Sequence, residues 1–417
     1  MTGIQLIKKF LVWQDSFMVP NVIWYVKRLS ANDTLASGAH QAGPYLPKKF
    51  LFFIFPELQR QDAENPDVYF NLYVDSHDQH RKARAIWYNN KLFRGTRNET
   101  RITRFGGKSS PLLNVENTGA LVVFAFVDNN SDRTREAHVW VCRSEEEETL
   151  VEDRVGPVEP GQRLINSPEW SIQPPLFVPH PKIKSGCRLA FDEIPGAWLE
   201  EFPPGAEIIE KSVELCPVIG LGPDDRLLRR RGCEFDVFLS LEEAVELPVI
   251  KEGFTNIDAF VSHAQSILQR RKARSGRSLE LHLKEIFIEE GLEEDMDFSY
   301  QAETESKRKP DFIFPSRSSY GDPDYPADRL RMLGVKTTCK DRWRQILNEA
   351  ERIQIKHLLT LQEGVSVDQF QEMRCSNVRL VVPASLHSKY PATIRSELIT
   401  LKEFIDEIKS LKQDMSK

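Results

Sequence analysis

The residues whose types best suit hydrolytic chemistry lie between positions 309 and 349. The segment KPDFIFP places Asp311 at the start of a predicted strand, and LGVKTTCKDRWRQILNE places Lys336 in a second strand and Glu349 in a predicted helix. Two carboxylates and a lysine beside strand ends suit metal-assisted cleavage of a phosphodiester, because Mg²⁺ prefers oxygen ligands and a lysine can polarise water and hold phosphate. The alternative is a structural role, in which Asp311 caps a turn and Lys336 is simply exposed.

A charged cluster follows Lys336 at the predicted start of that helix. It consists of Lys340, Asp341, Arg342 and Arg344. In the major groove of DNA, arginine and lysine can donate to guanine, and an acid can accept from cytosine. The cluster would therefore read G·C pairs within one helical turn of the cleavage site. The alternative is a solvated helix face whose charges pair with one another.

The elements that must position these residues divide the chain into two parts. A chain of 417 residues predicts two or three domains. Strands rich in Val, Phe, Tyr and Trp are predicted at 51–55, 68–74, 120–127 and 138–143, which is typical of a barrel or sandwich. From about residue 195, helices alternate with strands, which predicts an α/β domain. We therefore predict an N-terminal mainly-β domain over 1–167, a linker over 168–194 and a catalytic domain over 195–417.

Several local patterns refine this division. The linker is predicted from the five prolines of residues 168–183, and the acidic run Glu145–Glu148 is interpreted as a solvated turn. In the catalytic domain, strands are predicted at 311–315, 333–338, 356–361 and 378–383, and helices at 259–270, 279–291, 341–355, 366–374 and about 400–412.

Other patterns exclude classes of protein. The segment GGKSS at 106–110 lacks the first glycine of a P-loop, and no G-x-G-x-x-G follows a strand, so we expect no nucleotide cofactor.

The six cysteines form no C-x-x-C pair, which argues against zinc ribbons and a disulfide framework and fits a reducing cytoplasm. No apolar run approaches the ~18 residues of a spanning helix, so we expect a cytoplasmic protein without a membrane partner. The net charge of −6 neither indicates nor excludes nucleic-acid binding.

Longer segments closely resemble a known family. KPDFIFPS, GVKTTCKDRWRQILNEAERI, HLLTLQEGVS and VRLVVPASLHSKYP, together with VKRLSANDT, ARAIWYNN, TRNETRITR and ENTGAL nearer the N-terminus, are similar to the EcoRII-like type IIE restriction endonucleases. The similarity runs over nearly the whole chain. It implies a PD-(D/E)XK nuclease domain with catalytic residues Asp311, Lys336 and Glu349, and with Asp311 and Glu349 as metal ligands. Glu349 would replace the usual acid at Gly334, and Glu280 matches a further acid near the metal.

The resemblance also implies an activity. Such enzymes cut double-stranded DNA before the first C of 5′-CCWGG, where W is A or T, with Mg²⁺ as cofactor. They work as homodimers, since a pseudopalindromic site suits a two-fold symmetric protein. A second copy of the site acts as an effector bound to the N-terminal domain, which otherwise covers the catalytic cleft. The enzyme would serve a restriction-modification defence system.

Specific residues acquire roles from the same resemblance. Lys340, Asp341 and Arg342 match residues that read C·G pairs, and Arg231 and Phe235 in RRRGCEFD would sandwich a flipped base. Stacking on a guanidinium and an aromatic ring is chemically reasonable. The alternative for Phe235 is an ordinary core position.

The basic, polar segments 26–45 and 84–104 are expected to be the two recognition arms of a plant B-three pseudobarrel that clamps effector DNA. Long polar loops on a β-scaffold often bind ligands, although flexible solvated loops are the alternative. The residues expected to contact the effector are Lys27, His40, Tyr45, Arg94, Arg97, Glu99 and Arg101.

Two alternatives remain open at this point. The basic cluster RRKARSGR at 270–277 either meets DNA phosphates or ends a helix, where cations are favoured. The whole chain could also be a sequence-specific DNA-binding regulator with an inactive nuclease core, although intact Asp311, Lys336 and Glu349 argue against this.

Overall fold

The N-terminal part of the protein is built on one curled sheet. The computed structural model describes residues 3–19, 21–38, 43–127, 136–166 and 186–413. The strands of the sheet are β1 (Val22–Arg28), β2 (Asp67–Val74), β3 (Gln79–Tyr88), β4 (Glu99–Thr103), β5 (Leu121–Val127), β6 (Glu136–Val141) and β7 (Arg163–Asn166). Their order is β4-β3-β2-β6-β5-β1-β7, and the paired strands are antiparallel except for β2 and β6.

Both faces of this sheet are covered, which explains the unbroken apolar sequence of β5. The helices here are α1 (Gly3–Ser16), α2 (Lys48–Ile54) and α3 (Glu145–Val155). Val122 and Phe124 face one core with α2, whereas Leu121 and Val123 face the other with α1 and α3. Alternate residues of a strand point to opposite faces, so a strand buried on both sides is apolar throughout.

Two predictions for this part were wrong. The run at 51–55 lies mostly in helix α2, because Phe50, Leu51 and Ile54 recur at helical spacing and pack into the core. The acidic run Glu145–Glu148 begins α3 instead of forming a solvated turn. The hydroxyl of Ser144 caps that helix, whose positive N-terminus favours acids, and the carboxylate of Glu148 is buried 2.7 Å from Arg28.

The C-terminal part combines a second sheet with long helices. Its strands are β8 (Ser299–Tyr300), β9 (Phe312–Phe314), β10 (Arg331–Lys336), β11 (Lys356–Thr360) and β12 (Val378–Val381), in the order β12-β11-β10-β9-β8. Strands β10, β11 and β12 are parallel, and β9 is antiparallel to both β10 and β8. The helices are α4 (Gly196–Glu200), α5 (Gly205–Leu215), α6 (Pro223–Glu252), α7 (Ile257–Glu289), α8 (Arg317–Gly321), α9 (Val367–Cys375) and α10 (Leu401–Gln413). One apolar cluster lies on each face of this sheet.

The predicted strands of the C-terminal part are confirmed, but two helix predictions were wrong. The helices expected at 259–270 and 279–291 are one continuous helix, α7. The helix expected at 341–355 is a short 3₁₀ helix, Arg342–Asn348, after which the chain turns, so Glu349 follows a helix and does not lie in one.

The segment that joins the two parts is described only at its end. The proline-rich residues 168–183 lie outside the described residues. Cys187, which follows them, forms a disulfide with Cys233 of α6, although the cysteine spacing had argued against a disulfide framework. The fold brings the two Cα atoms to 5.2 Å across 46 residues of sequence, a proximity that cysteine spacing could not reveal. In the parts of the chain described, none of the helices is both long and apolar enough to cross a membrane.

Candidate active site

Two adjacent strands bring together the first two predicted catalytic residues. Asp311 directly precedes β9, and Lys336 is the last residue of β10, which pairs with β9. The backbone N–H of Val335 donates to Oδ2 of Asp311 at 2.6 Å, and the Lys336 ammonium lies 3.6 Å from the same oxygen. Strand pairing therefore fixes the carboxylate and the ammonium side by side.

The third predicted residue reaches the same pocket because of a glycine. A Cβ atom on Gly334 would lie only 2.7 Å from Cγ2 of Ile346, so the 3₁₀ helix packs directly on β10 at this point. That close approach carries Glu349, three residues further on, towards Asp311 and Lys336. Gly334 stands where related nucleases usually have an acid. Because it has no side chain, it leaves room for the packing that brings in Glu349.

The pocket raises the pKa of its carboxyl groups. Burial, reinforced by the charge of Asp311, raises the pKa of Glu349 to about 7, and Lys336 opposes this shift. Burial also raises the pKa of Asp311, again against the effect of Lys336. A cation bound between these carboxyl groups would offset their repulsion and favour their charged forms.

A third acid, Glu280, extends this arrangement from helix α7. Its Oε2 accepts hydrogen bonds from the Tyr300 hydroxyl at 2.9 Å and from the Gln301 amide at 2.8 Å. Burial and the charge of Asp311 raise the pKa of Glu280, which places this carboxyl in the same electrostatic environment. Tyr300 and Gln301 were not predicted, since only the fold shows that they orient Glu280.

The donor set fits a hard divalent cation. Among the described residues, no three His, Cys, Asp or Glu side chains already close on a metal-binding group. However, Oε2 of Glu349 is buried and has no hydrogen-bond partner in the described structure, and it belongs to the same pocket as Asp311. One or two carboxylates, with water and phosphate oxygens completing the shell, are a common way to bind Mg²⁺.

A cavity of about 340 Å³ opens beside this pocket. Its lining includes Lys336 and Glu280 of the C-terminal part and Glu145 and Glu152 of α3. The N-terminal part therefore faces the catalytic residues directly.

The charged segment after Lys336 also contacts the N-terminal part. Nε of Arg342 lies 3.4 Å from Glu145, whereas the Lys340 ammonium lies 3.6 Å from its neighbour Asp341. The backbone N–H groups of Cys339 and Lys340 donate to the side chain of Gln362 at 2.9 and 3.0 Å. Gln362 was not predicted, and its amide oxygen fixes the start of this segment.

Arg231 and Phe235 lie one turn apart on α6. Arg231 is only 6% exposed and pairs with Glu159 at 2.5 Å, and the Arg274 guanidinium lies 4.6 Å from the centre of the Phe235 ring. Phe235 is partly buried against a cluster of apolar residues, which is compatible with both interpretations of this residue. Burial opposes ionisation of Glu159, but the charges of Arg231 and Arg274 outweigh it and hold the pKa of this carboxyl below its usual range.

The basic run 270–277 lies in the middle of α7, so its interpretation as a helix end was wrong. Arg271 and Arg274 pair with Glu242 and Glu234 of α6 at 2.6 and 2.5 Å. Lys272 pairs with Asp153 of α3. Contact of this run with DNA phosphates stays a prediction.

A second and larger cavity, of about 930 Å³, gathers several of the residues predicted for effector binding. It is lined by Lys27, Tyr45, Glu99 and Arg101. The Lys27 ammonium is buried 2.6 Å from Asp33, so this lysine ties the end of β1 to the loop that follows it.

Other members of the predicted effector set lie beside this cavity or beyond the described residues. The Arg97 guanidinium lies 5.5 Å from the ring of Tyr88, which also lines the cavity. Arg94 is exposed in the neighbouring turn, and His40 lies outside the described residues. Asp33 and Arg163, which also line the cavity, were not predicted.

Comparison with known proteins assigns the chain to a family. The model described as "Restriction endonuclease EcoRII, N-terminal" matches residues 18–169, and the model described as "EcoRII C terminal" matches residues 238–405. The type II restriction enzyme EcoRII of Escherichia coli is 45% identical over 412 residues, which cover 98% of this chain and 100% of that protein. The chain belongs to the EcoRII family of restriction endonucleases.

Solved structures show more distant similarity to this EcoRII family member. Metal-depleted Ecl18kI in complex with uncleaved, modified DNA matches over 55% of this chain and 87% of its own, with 16% identity and a TM-score of 0.44. The B3 domain of the UbaLAI restriction endonuclease with cognate DNA matches over 39% of this chain and 98% of its own, with 23% identity and a TM-score of 0.28.

Proposed function

We propose that this chain is a Mg²⁺-dependent type II restriction endonuclease that hydrolyses double-stranded DNA at 5′-CCWGG-like sites. The observation that supports it most strongly is the electrostatically coupled pocket of Asp311, Lys336 and Glu349, with Glu280 beside them. In this proposal, residues 195–417 form a PD-(D/E)XK nuclease domain and residues 1–167 a B3-like pseudobarrel, joined by a linker over 168–194.

In the catalytic pocket, Asp311 and Glu349 would hold the metal ion and Glu280 would lie next to it. A bound Mg²⁺ supplies an activated water at neutral pH and offsets the charge of the phosphate. The Lys336 ammonium, 3.6 Å from Asp311, would orient the attacking water and stabilise the negative charge that develops on the phosphate oxygens. Tyr300 and Gln301 would keep Glu280 oriented towards the pocket.

Recognition of the target would use the two surfaces that flank this pocket. Lys340, Asp341 and Arg342 would contact the edges of C·G pairs, since their side-chain chemistry matches those edges. Arg231 and Phe235, one helical turn apart, would hold a flipped central base between them. Both surfaces are engaged by other side chains in this structure, so DNA binding requires a rearrangement.

That requirement supports regulation by a second DNA. The acids of α3 and Glu159 contact the cations proposed to bind target DNA, namely Arg342, Lys272, Arg231 and Arg274. Effector DNA in the N-terminal cavity would stabilise an arrangement in which these contacts are broken. The active enzyme would be a cytoplasmic homodimer, and its place would be a restriction-modification system.

The test is cleavage of a plasmid that carries CCWGG sites, with and without Mg²⁺, followed by sequencing of the ends. We expect Asp311→Ala and Lys336→Ala to lose cleavage by at least ~10²-fold, since each removes a charge that acts on the reacting phosphate. Lys309→Ala, which changes an exposed lysine nearby, is the control. DNA binding without any cutting by the wild-type protein would favour the alternative, a regulator with an inactive nuclease core.

A further inference from the structure

The turn that carries Glu349 into the pocket is held by cationic side chains. Its three successive carbonyl oxygens, those of Asn348, Glu349 and Ala350, all accept hydrogen bonds from such groups. The Arg308 guanidinium donates to the Asn348 carbonyl. The Lys356 ammonium donates to the carbonyl of Glu349 and, at 2.6 Å, to that of Ala350.

The backbone of this turn adopts an unusual conformation that such bonds can maintain. Ala350 is fully buried with φ of +48°, in the left-handed region that residues with a Cβ atom seldom occupy. Sparsely populated backbone conformations persist only where the surroundings fix them. The bonds from Lys356 are formed at this residue and at the one before it.

Lys356 is an unexpected residue to find at this place. It begins β11 and is only 5% exposed. Burying an ammonium group is costly unless its hydrogen bonds are satisfied. Here the ammonium bonds to main-chain oxygens, which ties the start of the internal strand β11 to the turn.

The side chain of Glu349 explains why it would matter that Lys356 fixes this turn. Its Oε2 is buried without a hydrogen-bond partner in the described structure, in contrast to Glu280, whose Oε2 is held by Tyr300 and Gln301. With Oε2 unrestrained, the placement of the Glu349 carboxylate depends strongly on its own backbone. The groups that fix this backbone therefore influence where the carboxylate lies.

We propose that Lys356 is a positioning residue, which fixes the 348–350 turn and thereby holds the Glu349 carboxylate in place for the divalent ion. This inference rests on the proposed function, because it takes Glu349 to be a metal ligand. Arg308 has the same role at the edge of the turn, with a smaller effect, because its side chain is 40% exposed.

The test uses Lys356→Met in the full-length protein, which keeps the length of the side chain and removes the ammonium. Binding of Mn²⁺ is measured by electron paramagnetic resonance of the free ion, and the Mg²⁺ dependence of DNA cleavage is measured separately. We expect both the Mn²⁺ dissociation constant and the Mg²⁺ concentration at half-maximal rate to rise by about tenfold, as is usual when a group that orients a metal ligand is removed. Saturating Mg²⁺ should restore most of the rate.

Three comparisons make the result decisive. Lys309→Met, an exposed lysine nearby, should change neither constant, and Glu349→Gln should abolish the Mn²⁺ binding. If Glu349→Gln leaves Mn²⁺ binding intact, the proposed ion site is wrong. If Glu349→Gln abolishes binding but folded Lys356→Met binds Mn²⁺ as the wild type does, only the positioning role is wrong. Should Lys356→Met not fold, Arg308→Met decides, since unchanged constants in that variant would overturn the inference.

Discussion

Buried acids have opposite pKa shifts in the catalytic pocket and in the surface between the two halves of the protein. In the pocket, carboxyl groups repel one another, and the pKa of Glu349 is raised to about 7. Between the halves, Glu159 pairs with Arg231 and Arg274, and its pKa is held below the usual range. Repulsion between carboxyl groups therefore persists in the pocket despite the nearby Lys336, whereas Glu159 in the interdomain surface is neutralised by its partners.

This difference suggests how a nuclease could have its catalytic residues close together and still be unable to bind DNA. A pocket with an excess of negative charge is ready for a cation. The cations proposed to contact DNA, however, pair with acids of the same chain, and these pairs would have to break before DNA could bind there. In the proposed mechanism, the restraint lies in the surface that would bind DNA, while Asp311, Lys336 and Glu349 are already close together.

The largest effect is expected from breaking the buried interdomain pair. Glu159→Ala leaves Arg231 and Arg274 without this anionic partner, and breaking one side of a buried pair costs ~3–5 kcal/mol. The arrangement in which Glu159 blocks these two arginines should become less stable. Cleavage of a single-site duplex without effector should therefore rise by about 10–100-fold. The rate is measured by gel assay under single-turnover conditions. This rise corresponds to about 1.4–2.8 kcal/mol, at 1.4 kcal/mol per tenfold. It is smaller than the full cost of a broken buried pair because Arg274 keeps Glu234 as a partner.

The matched control is Glu146→Ala, which changes an exposed acid of the neighbouring helix α3. Its basal rate should equal that of the wild type. A basal rate of Glu159→Ala that also stays at the wild-type level would show that this pair does not restrain the enzyme.

The two regions also differ in how much of them the sequence reveals. Asp311 and Lys336 could be predicted because they sit at the ends of short apolar strands, and strand pairing is a local consequence of that pattern. Glu349 could be named as a candidate from its residue type, but the helix predicted to carry it was wrong. Its approach depends on the contact between Gly334 and Ile346, a packing detail that spacing does not encode.

Glu159, in contrast, carries no signal in the sequence at all. It is a single acid between two prolines, and its partners lie 72 and 115 residues away. Likewise, the break predicted between two helices at 270–279 does not exist, since pairs between α7 and α6 such as Arg274 with Glu234 support a polar stretch that lacks apolar periodicity. Tertiary pairing of this kind overrides local patterns.

A medium effect is expected from removing charge repulsion in the pocket. The folded pKa of Glu349 is about 7, compared with an ordinary value of 4.5, so the folded protein binds this proton more tightly than the unfolded chain does. Stability from this group is therefore present below pH 4.5 and is lost as the pH rises through 7. Glu349→Gln should be more stable than the wild type by about 1–2 kcal/mol at pH 8 without divalent ions, after allowance for solvent screening.

Urea denaturation at pH 8 and at pH 5, in the presence of a chelator, measures this difference. At pH 5 the difference should shrink, because the carboxyl group of the wild type is then largely protonated in the folded state. Glu303→Gln, at an exposed position, should show no such dependence. A Glu349→Gln variant that is less stable than the wild type at pH 8 would contradict the view that this pocket stores repulsion.

The smallest effect is expected from an exposed pair across the same interdomain surface. Lys272 and Asp153 lie 2.5 Å apart, but their side chains are 53% and 50% exposed, so water and salt screen the attraction. Exposed pairs contribute ~0–1 kcal/mol, and Asp153→Asn should therefore change basal cleavage by less than about threefold. If this variant released the enzyme as strongly as Glu159→Ala does, burial would not be what distinguishes the restraining contacts, and the summed negative charge of the α3 surface would have to explain the restraint instead.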